Sequence, residues 1–299
     1  MKILFGLFLS ALSVTGFAAT FVFGGALTKA CGVSPAVLAF LRFAIAGGTM
    51  LAVGAAKAKG RMRLMSPTRG DWLEMAWLAP VGTCVMAWCV FMGCARVSTA
   101  NASMADALTP LMIYLANALV CRRVDMKGLF GLASGFVGAL LVIRIVNGDG
   151  LALNAYSTGD VYILLSAATW GAYTVFGKRL IRKLGSSVFT TWTMLLGAGL
   201  VGLVLPFGDF AWPSTPKAWA LVVGLGLVST LMPFWTWNAA QRYLRTSTLA
   251  MTAYFTPVIA MGMGVALLGE RVSGLQWLGT AFIVVSAVIE TGRQEMPHA

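Results

Sequence analysis

Hydrophobic positions run along the chain in ten long stretches, each about the length of a membrane-crossing helix. They cover residues 3–25, 35–56, 72–94, 99–120, 128–146, 159–178, 188–207, 218–240, 247–268 and 275–291. A hydrocarbon core of roughly 30 Å requires about 20 apolar residues per helix. The stretches are continuously apolar and do not alternate, which excludes a transmembrane β-barrel. The pattern therefore predicts an all-α membrane protein with ten transmembrane helices joined by short loops.

Three sequence blocks recur in the same order in both halves of the chain. The matching pairs are Phe17–Gly24 with Trp170–Gly177, Thr109–Pro110 with Thr256–Pro257, and Arg123–Val124 with Arg271–Val272. We predict one five-helix repeat at 1–146, a second at 158–291, and a short cytoplasmic tail at 292–299. Because each repeat has an odd number of spans, the second enters the membrane inverted. Inverted repeats recur in secondary transporters, although a duplication that serves only packing is the alternative.

Positive charge is distributed unevenly between the two sides of the predicted membrane. The chain is 59% hydrophobic and 11% charged, with a mean hydropathy of +0.83 and a net charge of +12. With a cytoplasmic amino terminus, sixteen of the 22 Lys and Arg residues are cytoplasmic, five are on the other side, and Arg42 lies within a span. The positive-inside rule then places both termini in the cytoplasm, and the basic balance requires no nucleic-acid partner. Residues 1–19 could also pass for a secretory signal, but the apolar run continues to Leu27.

The chain contains few residues suited to catalysis or cofactor binding. Its only histidine is His298, and its five cysteines have neither metal-ligand spacing nor the pattern of a disulfide framework. Gly224-Leu-Gly226 lacks the strand and helix that a phosphate-binding loop needs. One aspartate buried in the spans, Asp106, and no histidine do not suffice for intramembrane proteolysis. We therefore expect no enzyme activity, no metal and no cofactor, and transport not driven by ATP hydrolysis within this chain.

Motifs spread over the whole chain resemble those of the EamA-type transporters of the drug/metabolite transporter superfamily. They are Leu41-Arg42-Phe43, Ala100-Asn101-Ala102-Ser103, Leu108-Thr109-Pro110, Trp170-Gly171-Ala172-Tyr173, Lys178-Arg179-Leu180, Tyr254-Phe255-Thr256-Pro257, Gly269-Glu270-Arg271 and Trp277-Leu278-Gly279. One departure is Cys121-Arg122-Arg123, which stands where the second half has Gly269-Glu270-Arg271. The resemblance implies two inverted five-helix repeats and a multi-pass protein of the bacterial inner membrane that exports metabolites, amino acids or drugs.

Two ionisable side chains, Arg42 and Asp106, lie well inside the predicted spans. A charge there costs about 2.5–3.5 kcal/mol on insertion scales, so each needs a partner or a function. Both lie roughly 12 Å from the outer boundary on helices that run in the same direction, so an ion pair is geometrically feasible. Such a pair would have a structural or gating role. In the alternatives, Asp106 binds a substrate amine or a coupling proton, or Arg42 extends outward toward water.

Polar residues and prolines of the fourth and ninth spans are further candidates. Asn117 shares a helical face with Asp106, and Thr252 belongs to a corresponding stripe in the second half. Pro110 and Pro257 occupy equivalent mid-span positions, where each removes a backbone donor. Breaks at matching places in two repeats point to a binding site. Interhelical hydrogen bonds and simple kinks are the packing alternatives.

Aromatic residues in mid-span form the last group of candidates. Trp88 and Trp235 are equivalent in the two halves, and Trp170 and Tyr173 lie on the sixth span. Trp and Tyr usually lie at the membrane interface, so their mid-span positions favour a cavity wall, with Asn238 supplying an amide. Core packing is the alternative for each of them.

Taken together, these patterns predict a secondary transporter that exports a small metabolite, such as an amino acid, by alternating access. Its partners would be that solute and the lipid bilayer, and it would act as a monomer or a homodimer. Efflux of drugs or cationic compounds is the alternative, followed by a membrane scaffold that does not transport.

Overall fold

Helices make up all the regular secondary structure in the part of the chain that the computed structural model describes, residues 2–57, 67–96, 108–122, 129–137, 158–256, 258–259 and 274–295. The helical segments are α1 Lys2–Ala30, α2 Pro35–Lys57, α3 Arg69–Arg96, α4 Thr109–Cys121, α5 129–137, α6 Thr158–Leu184, α7 Ser186–Phe207, α8 Pro216–Ala240, α9 Thr246–Thr252 and α10 Gly274–Glu295. They follow the ten predicted spans in order, which confirms the predicted all-α class. Among them, α1, α2, α3, α7 and α8 are long and apolar enough to cross a membrane.

Threonines cap the equivalent helices α3 and α8. Thr68 Oγ1 accepts a hydrogen bond from the backbone N–H of Asp71 at 3.4 Å, and Thr215 Oγ1 accepts one from Ala218 at 3.2 Å. The Asp71 carboxylate accepts the Thr68 N–H in return at 2.8 Å, which completes a capping box. The two caps are 147 residues apart, as Thr109 and Thr256 are in the sequence repeat.

The same two helices are each interrupted by a π-helical segment. It covers Pro80–Val85 in α3 and Leu227–Leu231 in α8, and the two segments again start 147 residues apart. A π turn contains an extra residue, so it rotates the rest of the helix by about 100° relative to an uninterrupted one. The repeat is therefore visible in backbone geometry as well as in sequence.

Contacts between helices have the symmetry of a twofold repeat. Helices α1 to α5 of the first half are equivalent, in order, to α6 to α10 of the second. The contact between α1 and α8 is therefore equivalent to that between α6 and α3, and the contact between α2 and α8 is equivalent to that between α7 and α3. The contacts of α2 with α7 and of α4 with α9 lie on the pseudo-twofold axis and correspond to themselves. The halves therefore interlock along their length, and most of the core belongs to both.

The direction of the helices is inverted between the halves. Lys183, at the end of α6, is ion-paired with Asp71 at the start of α3, so these two helix ends share one end of the bundle. At the opposite end, the backbone N–H of Ser34, before α2, donates to the carbonyl of Ala211, before α8, and the Ala211 N–H donates to Ser34 Oγ. Helix α7 starts just after Lys183 and finishes before Ala211, and so connects the two ends. Helix α3 thus starts at the first end and its counterpart α8 at the second.

We call the end of the bundle that contains Asp71, Lys183 and the α8–α9 turn 241–245 the basic end.

Reporter fusions test whether the basic end lies in the cytoplasm, as the charge distribution predicts. Fusions after residues 57 and 184 should give active cytoplasmic fluorescence and inactive alkaline phosphatase, and a fusion after residue 209 should give the reverse. Opposite locations for 57 and 184 would contradict the inverted repeat.

Candidate substrate cavity

A cavity lies between the two halves near the middle of the bundle, with a volume of about 60 Å³. That is room for a few water molecules. Helices α1, α2, α3, α4, α6 and α8 contribute to its wall, as does the chain that follows α9. The lining residues are Phe17, Thr20, Phe21, Arg42, Met86, Val90, Thr109, Ser166, Trp170, Phe234, Trp237, Ala253 and Thr256.

Four aromatic rings form one continuous part of the wall. The Trp170 ring lies 4.8 Å from Phe234, 5.2 Å from Phe17 and 5.8 Å from Trp237, measured between centroids. The first two contacts are edge-to-face, the geometry that aromatic quadrupoles favour. Because Phe17 and Trp170 belong to equivalent helices of the two halves, the pseudo-twofold axis brings together residues 153 positions apart in sequence.

Arg42 supplies a guanidinium group to the wall beside the Phe234 ring. Its side chain is 1% exposed, and its Nε donates a hydrogen bond to Thr230 Oγ1 at 2.9 Å. A longer contact of 3.5 Å joins Nη2 to the Ser229 carbonyl. The guanidinium carbon lies 5.0 Å from the Phe43 ring centroid and 5.8 Å from that of Phe234, within the range of cation–π attraction. Among the described residues, no carboxylate forms an ion pair with Arg42.

Buried polar side chains form a network behind the aromatic wall. Asn238 Nδ2 donates to Thr190 Oγ1 at 2.8 Å and to the Tyr173 hydroxyl at 3.2 Å, and Asn238 Oδ1 accepts from Gln241 at 3.2 Å. Tyr173 also stacks on Trp170, with centroids 5.3 Å apart. The network therefore holds α6, α7 and α8 together and fixes the Trp170 ring in the wall.

Two ion pairs join the halves at the basic end. Lys183 Nζ lies 2.6 Å from Asp71 Oδ2, and the Asp71 side chain is only 2% exposed. The second pair, Arg179 with Glu74, is more exposed. Exposed pairs of this kind contribute little to stability. Both pairs connect α3 with α6.

Of the predicted site residues that the structure describes, Arg42 and Trp170 lie in the cavity wall. Tyr173 and Asn238 are fully buried and support that wall from behind. Thr252 is buried too, but its hydroxyl donates to the Leu249 carbonyl of its own helix at 2.7 Å.

Other predicted site residues lie away from the cavity. Trp88 and Trp235 are 41% and 37% exposed, on the outside of the bundle. Trp88 packs edge-on against Tyr162, and Trp235 donates to Ser187 Oγ at 2.9 Å. Asn117 lines a separate pocket at the basic end, beside Lys178 and Thr246.

Of the two predicted prolines and Asp106, the structure describes only Pro110. Pro110 lies in the first turn of the described part of α4. Pro257 and Asp106 lie outside the described residues, and so does the predicted pairing of Asp106 with Arg42.

Sequence reasoning missed Phe234 and Trp237, which form much of the wall. A periodic signal was available, because Thr230, Phe234, Trp237 and Gln241 follow one another at spacings of four, three and four. That spacing defines one face of a helix. This face contains Trp237 and not Trp235.

The match with a family model identifies the class of protein. Residues 4–144 and 157–291 each match the EamA-like transporter family. The two matches cover almost the entire chain and correspond to the two five-helix halves. The protein belongs to the EamA-like transporter family, and it is a multi-pass membrane transporter rather than an enzyme.

Individual relatives agree with this class. An uncharacterized transporter of Archaeoglobus fulgidus is 25% identical over 266 residues, which is 88% of this chain and 89% of the relative. The uncharacterized transporter YyaM of Bacillus subtilis is 23% identical over 211 residues, 69% of each chain. A solved crystal structure matches with a TM-score of 0.74 over 96% of this chain and 98% of its own, at 23% identity, and so supports the fold alone.

Replacing Asn238 with leucine tests the network behind the wall. The variant keeps the branched shape and the number of side-chain heavy atoms, but it leaves the Gln241 amide without its acceptor and Thr190 and Tyr173 without their donor. We expect a loss of about 1–2 kcal/mol in the free energy of unfolding, measured as a lower melting temperature in detergent. Asn117→Leu is the matched control, because the only hydrogen bond described for that amide is a weak one from the Cys121 thiol at 3.9 Å. Equal melting temperatures for the two variants would contradict a stabilising network.

Proposed function

We propose that the protein is a secondary transporter that carries a small metabolite, such as an amino acid, through the cavity between its halves by alternating access. The observation that carries the proposal is a mid-bundle cavity whose wall is built from both inverted repeats. A site between two inverted halves can be exposed to either side by a rocking motion. We also propose that the protein resides in the cytoplasmic membrane of a bacterium, with both termini inside, and works as an exporter.

The lining favours a small, partly apolar solute. Aromatic rings from three helices surround the space, and hydroxyls of Thr20, Ser166 and Thr256 supply a few polar contacts. Ligand sites commonly have this composition, an apolar wall with a small number of placed polar groups. The buried charge of Arg42 disfavours the alternative of a cationic drug as substrate, because like charges would be forced together in a low dielectric.

The proposed rocking motion requires the ion pairs at the basic end to break. Asp71 and Glu74 belong to the first half, and their partners Lys183 and Arg179 belong to the second. A rocking motion that opens the cavity to the basic end must separate α3 from α6 there. Both pairs would then form and break once in every transport cycle.

Solute exchange into liposomes tests the proposal. Purified protein in liposomes preloaded with a mixture of unlabelled amino acids should accumulate at least one labelled amino acid from outside, without ATP.

We further expect Asp106→Asn to remove the pH dependence of net transport while retaining exchange, because Asp106 is proposed to carry the coupling proton. Ser103→Ala, on the same predicted helix, is the control. Wild-type pH dependence in the aspartate variant would remove Asp106 from the mechanism.

Replacing Lys183 with methionine tests the ion pair as a gate. The variant breaks the bond to Asp71 but leaves the Thr68–Asp71 capping box intact, so the population should shift toward the state open at the basic end. In a background without the native cysteines, Thr109→Cys should react several-fold faster with a thiol reagent added from the cytoplasmic side. Arg179→Met, which breaks the more exposed pair, should give a smaller increase. Unchanged labelling by Lys183→Met would contradict gating.

A further inference from the structure

Arg42 is a permanent positive charge in the wall of an apolar cavity. It is the eighth residue of α2, roughly 12 Å along the helix from its start. Its side chain is 1% exposed and lines the cavity beside Phe234. A guanidinium keeps its charge at every physiological pH. A charge buried in this way is stable only when it is hydrogen-bonded and balanced by an opposite charge.

The described residues satisfy only part of this group. Of the five N–H donors of a guanidinium, one reaches Thr230 Oγ1 at 2.9 Å and one makes the long contact with the Ser229 carbonyl. These acceptors hold the planar group by one edge. Phe43, Phe91 and Phe234 surround it with aromatic carbon, which attracts a cation but accepts no in-plane hydrogen bond.

The rest of the described wall has no negative charge to balance Arg42. Its other polar groups are the hydroxyls of Thr20, Thr109, Ser166 and Thr256. Asp71 and Glu74 are already paired with Lys183 and Arg179 at the basic end. The electrostatics of the cavity are therefore those of one cation facing an aromatic surface.

On the basis of the function proposed above, we propose that Arg42 binds the carboxylate of the transported solute, and that the solute is a small amino acid or organic acid with an apolar side group. The fork of N–H donors in a guanidinium matches the two oxygens of a carboxylate. The apolar side group would pack against Phe17, Trp170 and Trp237 in a state of the transport cycle whose cavity is wider than the present volume of about 60 Å³. One guanidinium balances a monoanion, whereas a phosphate monoester carries about −1.5 to −2 charges at pH 7 and would need a second cation.

Acid and amide pairs test the ligand chemistry directly. Thermal stabilisation of the purified protein is measured with the apolar and aromatic amino acids, with 3-phenylpropionate, and with the amide of each. Acids should stabilise the protein and the amides should not, at equal concentration. Equal stabilisation by acid and amide, or none by any acid, overturns the proposal. Equal stabilisation is also the result expected if Arg42 is permanently paired with Asp106.

Variants of Arg42 test which residue makes the contact. For the acids that bind, Arg42→Gln should weaken binding roughly 30-fold or more, and Arg42→Lys should retain part of the affinity. Arg96→Gln is the matched control: Arg96 also lies over an aromatic ring, 5.2 Å from the Tyr162 centroid, but outside the cavity. Full affinity in both Arg42 variants overturns the proposal. If Arg42→Gln does not fold, the lysine variant and the acid–amide comparison still decide.

Transport measurements separate this proposal from the one on which it rests. If acids bind through Arg42 but no compound crosses in liposome exchange, the transport proposal fails and the carboxylate site stands. If compounds cross but amides and amines exchange as well as acids, transport stands and the role of Arg42 is overturned.

Discussion

Inside a hydrocarbon layer there is no water to satisfy polar groups, so each of them must find its partner within the protein. Helices meet this requirement for the backbone. Many hydroxyls meet it by donating to their own helix, as Thr49 does to the Ile45 carbonyl at 2.7 Å. The larger polar groups need partners on other helices. Asn238 of α8, for example, donates a hydrogen bond to the Tyr173 hydroxyl of α6. Arg42 carries a full charge with only two hydrogen bonds among the described residues, and it lies where the two halves meet.

The pseudo-twofold axis relates contacts that differ in charge. Arg42 and Thr193 are each the eighth residue of their helices, α2 and α7. Arg42 donates to Thr230 in the π-helical segment of α8, and the carbonyl of Thr193 accepts from Thr83 in the segment of α3 at 3.3 Å. The two contacts occupy equivalent places, but only one contains a charge. A symmetric arrangement of helices therefore surrounds a cavity with one-sided chemistry.

Hydropathy was sufficient to predict the ten helices, because the length of an apolar run follows from the thickness of the membrane. The repeat and the involvement of Trp170 were also accessible from sequence. The orientation of Trp88 and Trp235 was not. Both follow a π-helical segment, whose extra residue rotates the rest of the helix, and an angle counted at about 100° per residue does not include that rotation. The sequence identified residues within the membrane more reliably than their direction around a helix axis.

The paired π-helical segments also bear on the history of the chain. A π segment disturbs the regular hydrogen bonding of a helix, and a single origin accounts for its presence at the same place in α3 and α8. That origin lies in an ancestral gene for only five helices, older than the fusion of its two copies. Its product had to assemble from subunits inserted in opposite directions to enclose a space. Joining the copies allowed each to mutate alone, so that an arginine could be present in one and a threonine in the other.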